Sequence, residues 1–479
     1  MNDLEAAALI AEEFDERGYE MSFAHEGESG FPAVLKPQSR IVLCDPARGV
    51  VAVGGIPPPG NVDPTYCFKR FANCTARSRA APMSAPRARF VCLVGNNRAW
   101  RSYNEPMNGV VRGNRDWVAD AMKIMEADRA KEVDTPLFEL DLPEMPGCRI
   151  YIKDETVHPS GSLKHRLARS LFLHAICNGD IVAATTVVEA SSGSTAISEA
   201  YFARLLGLKF IAVVPKSTAP AKCEAIKRAG AHIHLVEPQD NVSAVAAQFA
   251  REAGGHFMDQ FTNAERATDW RGNNNIAESL FAQIRGRCSA SLDWVVVGAG
   301  TGGTSATIGR YIRYRAELSA TRLMVVDPEQ SAFFKYFQGG DRTVSGGCGG
   351  IIEGIGRPRV EASFMPRVVD EMLAVPDAAS IAATRWLARR IGRRFGPSTG
   401  TNIMGALALA AELHARRRPG CIATLACDSG ERYADTVYDA AWLACRQIDI
   451  APWQRRLETL ATEPGLFAQD LARARCPGS

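Results

Sequence analysis

Residues able to do chemistry concentrate in five short loops of small and polar residues in this 479-residue chain. The first, His158-Pro159-Ser160-Gly161-Ser162-Leu163-Lys164-His165-Arg166, sets Lys164 in the first turn of a helix. An amine there feels the positive end of the helix dipole, which favours the neutral nucleophile that Schiff-base chemistry needs. A solvated lysine in a capped helix is the plainer alternative. The second, Ser191-Ser192-Gly193-Ser194-Thr195, offers hydroxyl and N–H donors to a carboxylate, or simply caps a helix. The third, Gly298-Ala299-Gly300-Thr301-Gly302-Gly303-Thr304, ends an apolar strand and opens a helix. Its glycines let the backbone approach an anion, and free N–H groups at the helix start bind phosphate. That string also fits G-x-G-x-x-G, with Asp327 ending the next strand where a ribose-binding acid would sit. A nicotinamide dehydrogenase therefore competes for this loop, as does a tight turn without a ligand. Gly396–Asn402 opens another helix, and Asp428-Ser429-Gly430-Glu431-Arg432-Tyr433 follows another strand.

The elements that must position these loops repeat from Asn114 onward. WVADAMKIMEADRA (117–130) has the spacing of an amphipathic helix. Apolar, β-branched runs then end in Gly/Ser-rich turns and pass into helical patterns at 149–155, 185–207, 210–231, 293–315, 322–329 and 421–444. Continuous apolar strands alternating with helices predict a parallel sheet covered on both faces. Ligands of such sheets bind at the carboxyl ends of the strands, where all of these loops fall.

Composition narrows the class. Hydrophobic residues make up 46% and charged residues 23%, and the net charge is +3. These values exclude a mostly disordered or collagen-like chain and give no basis for nucleic-acid binding. Thirteen cysteines are scattered without a C-x-x-C pair or a companion histidine cluster. Neither a metal site nor a disulfide framework is expected, and reduced thiols in a cytoplasmic protein fit best. The acidic start MNDLEAAALIAEEFDERGYE is no signal peptide, and no apolar run is long enough to span a membrane. The first 110 residues stand apart. Pro64–Asn104 carries eight Lys/Arg and no Asp/Glu, with poor periodicity. It is expected to be a poorly ordered extension, sequence upstream of a true start at Met107, or a basic arm for an acidic partner.

The set of loops resembles one family. KDETVHPSGSLKHR, EASSGSTA, GAGTGGT, EGIGRP, GPSTGTN and DSGERY follow the order and spacing of the fold type II pyridoxal-phosphate enzymes, the cysteine synthase and cystathionine β-synthase superfamily. The likeness covers about 113–450. The lysine loop and MDQFTNAERATDWRGNNNIAES (258–279) are most similar to the bacterial L-cysteine desulfhydrase group. This resemblance implies an α/β fold of the tryptophan synthase β-like kind, with two parallel-sheet domains and helices on both faces. It implies pyridoxal 5'-phosphate held covalently by Lys164, its phosphate in a cradle of Gly300, Thr301, Gly302, Gly303 and Thr304, and Ser398 facing its pyridine nitrogen. Ser191, Ser192, Thr195 and Gln260 would grip the substrate carboxylate. Ser194 replaces the asparagine that touches the coenzyme 3′-oxygen in cysteine synthases, and Ala196 replaces their final glycine.

The implied domains are an extension at 1–112, a large coenzyme-binding domain at 113–170 plus 270–452, a small mobile substrate-closing domain at 171–269, and a tail at 453–479. The implied reaction is β-elimination of L-cysteine to sulfide, pyruvate and ammonia in a cytoplasmic homodimer, with a small amino acid as partner and no nucleic acid or membrane. The alternative is β-replacement on O-acetylserine or serine, as in cysteine synthase or cystathionine β-synthase. The dehydrogenase reading would leave the lysine loop and both serine loops without a purpose.

Overall fold

A computed structural model describes residues 21–25, 41–45, 50–54, 91–94, 110–288, 292–347, 350–472 and 474–478. Met107, most of the basic stretch and Cys348 lie outside these residues. The chain divides into two compact units, Met1–Pro106 and Met107–Ser479. In the first, β1 (Met21–His25), β2 (Ile41–Asp45), β3 (Val50–Gly54) and β4 (Val91–Val94) pair as an antiparallel sheet in the order β1-β3-β2-β4.

The second unit contains two sheets. One has seven strands: β5 (Leu137–Leu140), β6 (Cys148–Asp154), β11 (Trp294–Gly298), β12 (Arg322–Pro328), β13 (Glu371–Val375), β14 (Gly420–Ala426) and β15 (Arg475–Pro477). Their order is β15-β13-β12-β11-β14-β6-β5. The five inner strands are parallel, and the two edge strands, β5 and β15, are antiparallel. The other sheet has four parallel strands in the order β10-β7-β8-β9, formed by β7 (Val187–Ala190), β8 (Phe210–Pro215), β9 (His232–Val236) and β10 (His256–Phe257).

Val295, Val296 and Val297 are wholly buried, as are Val325 and Val326 beside them. Val296 and Val326 belong to one apolar cluster, and Val295, Val297 and Val325 to another. Helices therefore cover both faces of the large sheet, as the continuous apolar runs predict. The Pro397–Ala415 helix lies against the first face and buries nearly its whole length. Crossovers of this kind bring β6, β7, β11 and β14 to the same outcome: each ends where a small-residue loop enters the chain's next turn or helix.

Several local readings change. Residues 421–444 do not form a strand followed by one helix. After β14 the chain makes a short turn of helix at Gly430–Tyr433 and only later the helix Ala440–Cys445. Ser429 caps the first and Asp439 the second, so side-chain acceptors break what periodicity alone would join. The segment after 453 is not a free tail: two helices and β15 follow, and Leu457, Phe467 and Leu471 enter the core. Cys288 and Cys421 form a disulfide, which corrects the expectation of reduced thiols throughout. Cys148, Cys177, Cys223, Cys427, Cys445 and Cys476 are free. Among the described residues, no helix is long and apolar enough to cross a membrane.

Candidate active site

Lys164 begins the helix Lys164–Asn178, and Ser162 Oγ accepts its backbone N–H at 3.3 Å. The loop before it is tied to the strand ends: Leu163 donates to the Cys427 carbonyl at 2.8 Å, and Ser429 donates to the Gly161 carbonyl at 3.1 Å. These bonds hold the lysine over the carboxyl end of β14. Burial pushes the Lys164 amine below its ordinary pKa; Cys427 and Asp428 pull it up and Arg357 pushes it down. The expected lowering is present, but desolvation is its leading cause rather than the helix dipole.

A cavity at the strand ends unites Lys164, Ser194, Gly300, Thr301, Gly302, Thr304 and Ser398, together with Cys427 and Asp428. Gly303 faces an adjoining cavity of about 300 Å³, which Lys164, Thr301 and Thr304 also line. The expected cofactor residues are thus gathered around one lysine. Ser191, Ser192, Thr195 and Gln260 line neither cavity. Thr195 and Gln260 do meet each other, the Thr195 hydroxyl donating to Gln260 Oε1 at 2.8 Å in a buried contact. Ser191 Oγ accepts from Gly193 N at 3.3 Å, shaping the loop. Ser194 Oγ accepts from Arg432 Nη1 at 2.8 Å.

The glycine loop has room for backbone alone. A Cβ on Gly300 would lie 2.2 Å from the Gly354 carbonyl oxygen. Gly302 has φ +92°, and a Cβ there would lie 2.5 Å from Phe364 Cα. The bare loop therefore leads straight into the N-terminus of the Gly303–Tyr314 helix, where Gly303 N–H donates to Thr301 Oγ1 at 3.2 Å and first-turn N–H groups without an intrahelical acceptor can meet an anion.

Among the described residues, two buried oxygens near this cavity have no hydrogen-bond partner: Asn402 Oδ1 and Asp428 Oδ1. The other Asp428 oxygen accepts from the Tyr433 hydroxyl at 2.7 Å. Burial pushes the Asp428 carboxyl up to about 6, against the pull of Arg432 and Tyr433. Burial likewise pushes the Cys427 thiol up to about 12, so it is no nucleophile at neutral pH. Asp428, Tyr433, Asn402 and Arg432 were not singled out as site residues by sequence. The signal available was the position of Asp428 just after an apolar strand, one of many such polar residues.

Asp327 does not serve a ribose. It is wholly buried, accepts the Phe334 N–H at 3.0 Å, and lines neither cavity. Burial raises its carboxyl to about 7. The glycine loop thus lacks the acid that a dinucleotide site requires.

Comparison with known proteins agrees with this geometry. The family model described as "Pyridoxal-phosphate dependent enzyme" matches residues 129–424. An L-cysteine desulfhydrase of Mycobacterium tuberculosis is 56% identical over 342 residues, covering 71% of this chain and 92% of the relative. A putative cysteine synthase of Sinorhizobium fredii is 32% identical, covering 66% of this chain and 90% of the relative. Among solved structures, an O-ureido-L-serine synthase aligns with TM-score 0.57 and 25% identity over 67% of this chain and 98% of its own. A hydrogen sulfide-producing enzyme from Fusobacterium nucleatum shares the fold with TM-score 0.58 at 24% identity, over 66% of this chain and 92% of its own.

Proposed function

This chain belongs to the pyridoxal-phosphate dependent enzyme family and uses that coenzyme, and from that membership we propose that it eliminates sulfide from L-cysteine, yielding pyruvate and ammonia. The observation that carries the proposal is the meeting of Lys164, the bare glycine loop and Ser398 at one cavity. The residues fit the coenzyme. The glycine loop excludes any Cβ where a phosphate would be cradled, and Asn402 and Asp428 leave buried polar atoms unpaired beside it.

Bound coenzyme supplies an electron sink for the carbanion that forms at the substrate Cα. Thr301, Gly302, Gly303 and Thr304 hold its phosphate through N–H groups and hydroxyls at the helix start. Lys164 would hold it covalently and would serve as base for the substrate Cα proton, because its desolvated amine sheds its own proton more readily. Ser398 presents a neutral hydroxyl to the pyridine nitrogen. A hydroxyl would not keep that nitrogen protonated as a carboxylate would, which would favour loss of a β-leaving group over transamination. Ser194, which lines the same cavity, would meet the coenzyme edge. Ser191, Ser192, Thr195 and Gln260 receive the substrate carboxylate as the loop moves, with the Thr195–Gln260 bond keeping two of them in register. The small domain at 171–269 carries that loop and closes it on the large domain. We further propose that it works as a homodimer in the cytoplasm.

The similarity to an L-cysteine desulfhydrase supports elimination over replacement. Ser194 in place of asparagine points the same way, since the synthase contact to the 3′-oxygen is altered. The test is product analysis on one preparation. With L-cysteine alone the protein is expected to release sulfide and pyruvate, and with O-acetylserine plus sulfide to make little cysteine. Silence with cysteine and brisk cysteine formation from O-acetylserine would move the enzyme to the replacement branch.

A further inference from the structure

Two histidines of the lysine loop have no part in the chemistry above. His158 and His165 are buried, their rings stack with centroids 5.0 Å apart, and Glu132 reaches them from beyond the end of the Val110–Lys131 helix. One ligand atom from each of the three residues lies within 4.8 Å of the others. Their hydrogen bonds fix where the ring protons are.

Glu155 is an ionised acceptor, because Arg166 Nε donates to its Oε2 at 2.7 Å and Thr135 Oγ1 donates to its Oε1 at 2.6 Å. His158 Nε2, 3.0 Å from Glu155 Oε2, must therefore carry a proton. In the neutral ring, Nδ1 is then a bare lone pair, and it faces Glu132 Oε2 at 3.9 Å.

A chain of hydroxyls settles His165 in the same way. Ser198 Oγ donates to the Ser194 carbonyl at 2.8 Å. Its bond of 2.8 Å with Ser160 Oγ must then come from Ser160. Ser160 has spent its only proton, so at 3.2 Å it accepts from His165 Nδ1. The neutral His165 ring therefore turns a lone pair at Nε2 toward Glu132 Oε1, 2.6 Å away. The two atoms are in ion-pair contact, and among the described residues neither makes a hydrogen bond of good geometry to any other group.

We propose that Glu132, His158 and His165 form a binding site for a divalent metal of the zinc class. With both rings neutral, two imidazole lone pairs and a carboxylate converge on one point, where a cation satisfies all three; a proton on His165 Nε2, pairing it with Glu132 2.6 Å away, is the competing occupant that a metal would displace. Each ring is oriented by a bond from its other nitrogen, to Glu155 and to Ser160, the outer-shell arrangement typical of metal-bound histidines. Two nitrogens and a carboxylate suit zinc and its borderline neighbours, whereas calcium and magnesium prefer oxygen alone. The three residues line the cavity of about 300 Å³, so a fourth position stays open to water or another small ligand. Arg129, Arg166 and Arg169 line the same cavity as competing cations.

The test is a titration of chelator-stripped, full-length holoenzyme with cobalt(II) chloride at neutral pH, read by visible absorption. One equivalent per chain is expected to give ligand-field bands without thiolate charge-transfer absorption, and zinc should bleach them while magnesium should not. Glu132→Gln should weaken cobalt binding about 100-fold, and Ser160→Ala, through loss of the outer-shell bond, about 10-fold. Coenzyme content checks that each variant is folded, and the wild-type titration stands without them. Absence of bands at excess cobalt, bands dominated by thiolate charge transfer, or unchanged binding in Glu132→Gln would each overturn the site.

Discussion

Asp428 sets the pH range in which Lys164 keeps a charged neighbour. Burial favours the neutral acid, so its contribution to stability is complete below the ordinary value of 3.8 and fades as pH rises through about 6. The carboxylate that polarises the lysine is present above that pH and lost below it. Elimination should therefore show an acid limb with a midpoint near 6, and Asp428→Asn should erase the limb while lowering kcat/KM by about 100-fold. A pH–rate profile of both proteins checks this; an unchanged limb in the variant would assign it to another group. At this scale, much of the site was legible. Lys164, Ser194, Ser398 and the glycine loop belong to short strings whose order is distinctive. Asp428 and Tyr433 were less so, because their importance lies in burial and in one unpaired oxygen. Glu132 was not legible at all, since only folding brings the end of a distant helix to His158 and His165.

The elements store two further tests. The turn at Gly302 requires φ +92°, and a side chain there would strike the Phe364 backbone. Gly302→Ala should cost ~1–3 kcal/mol from the left-handed conformation alone, with more from the clash. Coenzyme content and absorbance should fall with it, and a fully loaded, equally stable variant would contradict the cradle. Below the serine loop, Glu189 and Glu199 are buried together. Glu189 accepts from the N–H of Ala190 at 2.6 Å and of Gln260 at 3.1 Å, while the Glu199 carboxyl faces Glu189 and makes no hydrogen bond of good geometry among the described residues. Burial lifts Glu189 to about 8 and Glu199 well above its ordinary value. The raised Glu189 value means stability that is complete below 4.5 and lost as pH rises through about 8, and the Glu199 shift acts in the same direction. Thermal melts should show the wild type losing Tm between pH 4.5 and about 8, and Glu199→Gln should flatten that loss. The inner strands were readable because burial on both faces makes them continuously apolar. The edge strands β5 and β15 escaped notice, being three or four residues long and half-exposed.

At the scale of the molecule, every residue assigned to the site lies within Met107–Ser479, and the family match begins at residue 129. Removing residues 1–106 should leave coenzyme content and cysteine turnover within about twofold, measured on purified protein. The closing strand β15 is another matter. Arg475 sits between Glu371 and Glu412, with a bond of 3.0 Å from Nε to Glu371 Oε2, and ties the chain end to β13. Arg475→Ala leaves two partly buried carboxylates without their shared cation and should cost about 1–3 kcal/mol, read as a lower denaturant midpoint. Composition marked 453–479 as a polar tail, because its apolar residues are few and Pro interrupts them. Their burial against the core depends on helices that lie far earlier in the chain. The central claim, that Lys164 carries a pyridoxal-phosphate elimination of cysteine, is tested most directly by sulfide and pyruvate release from L-cysteine with that coenzyme alone, for wild type and Lys164→Ala side by side. The wild type should release the two products in equal amounts and the variant neither; sulfide release by the variant at the wild-type rate, or none from the wild type, would contradict the account.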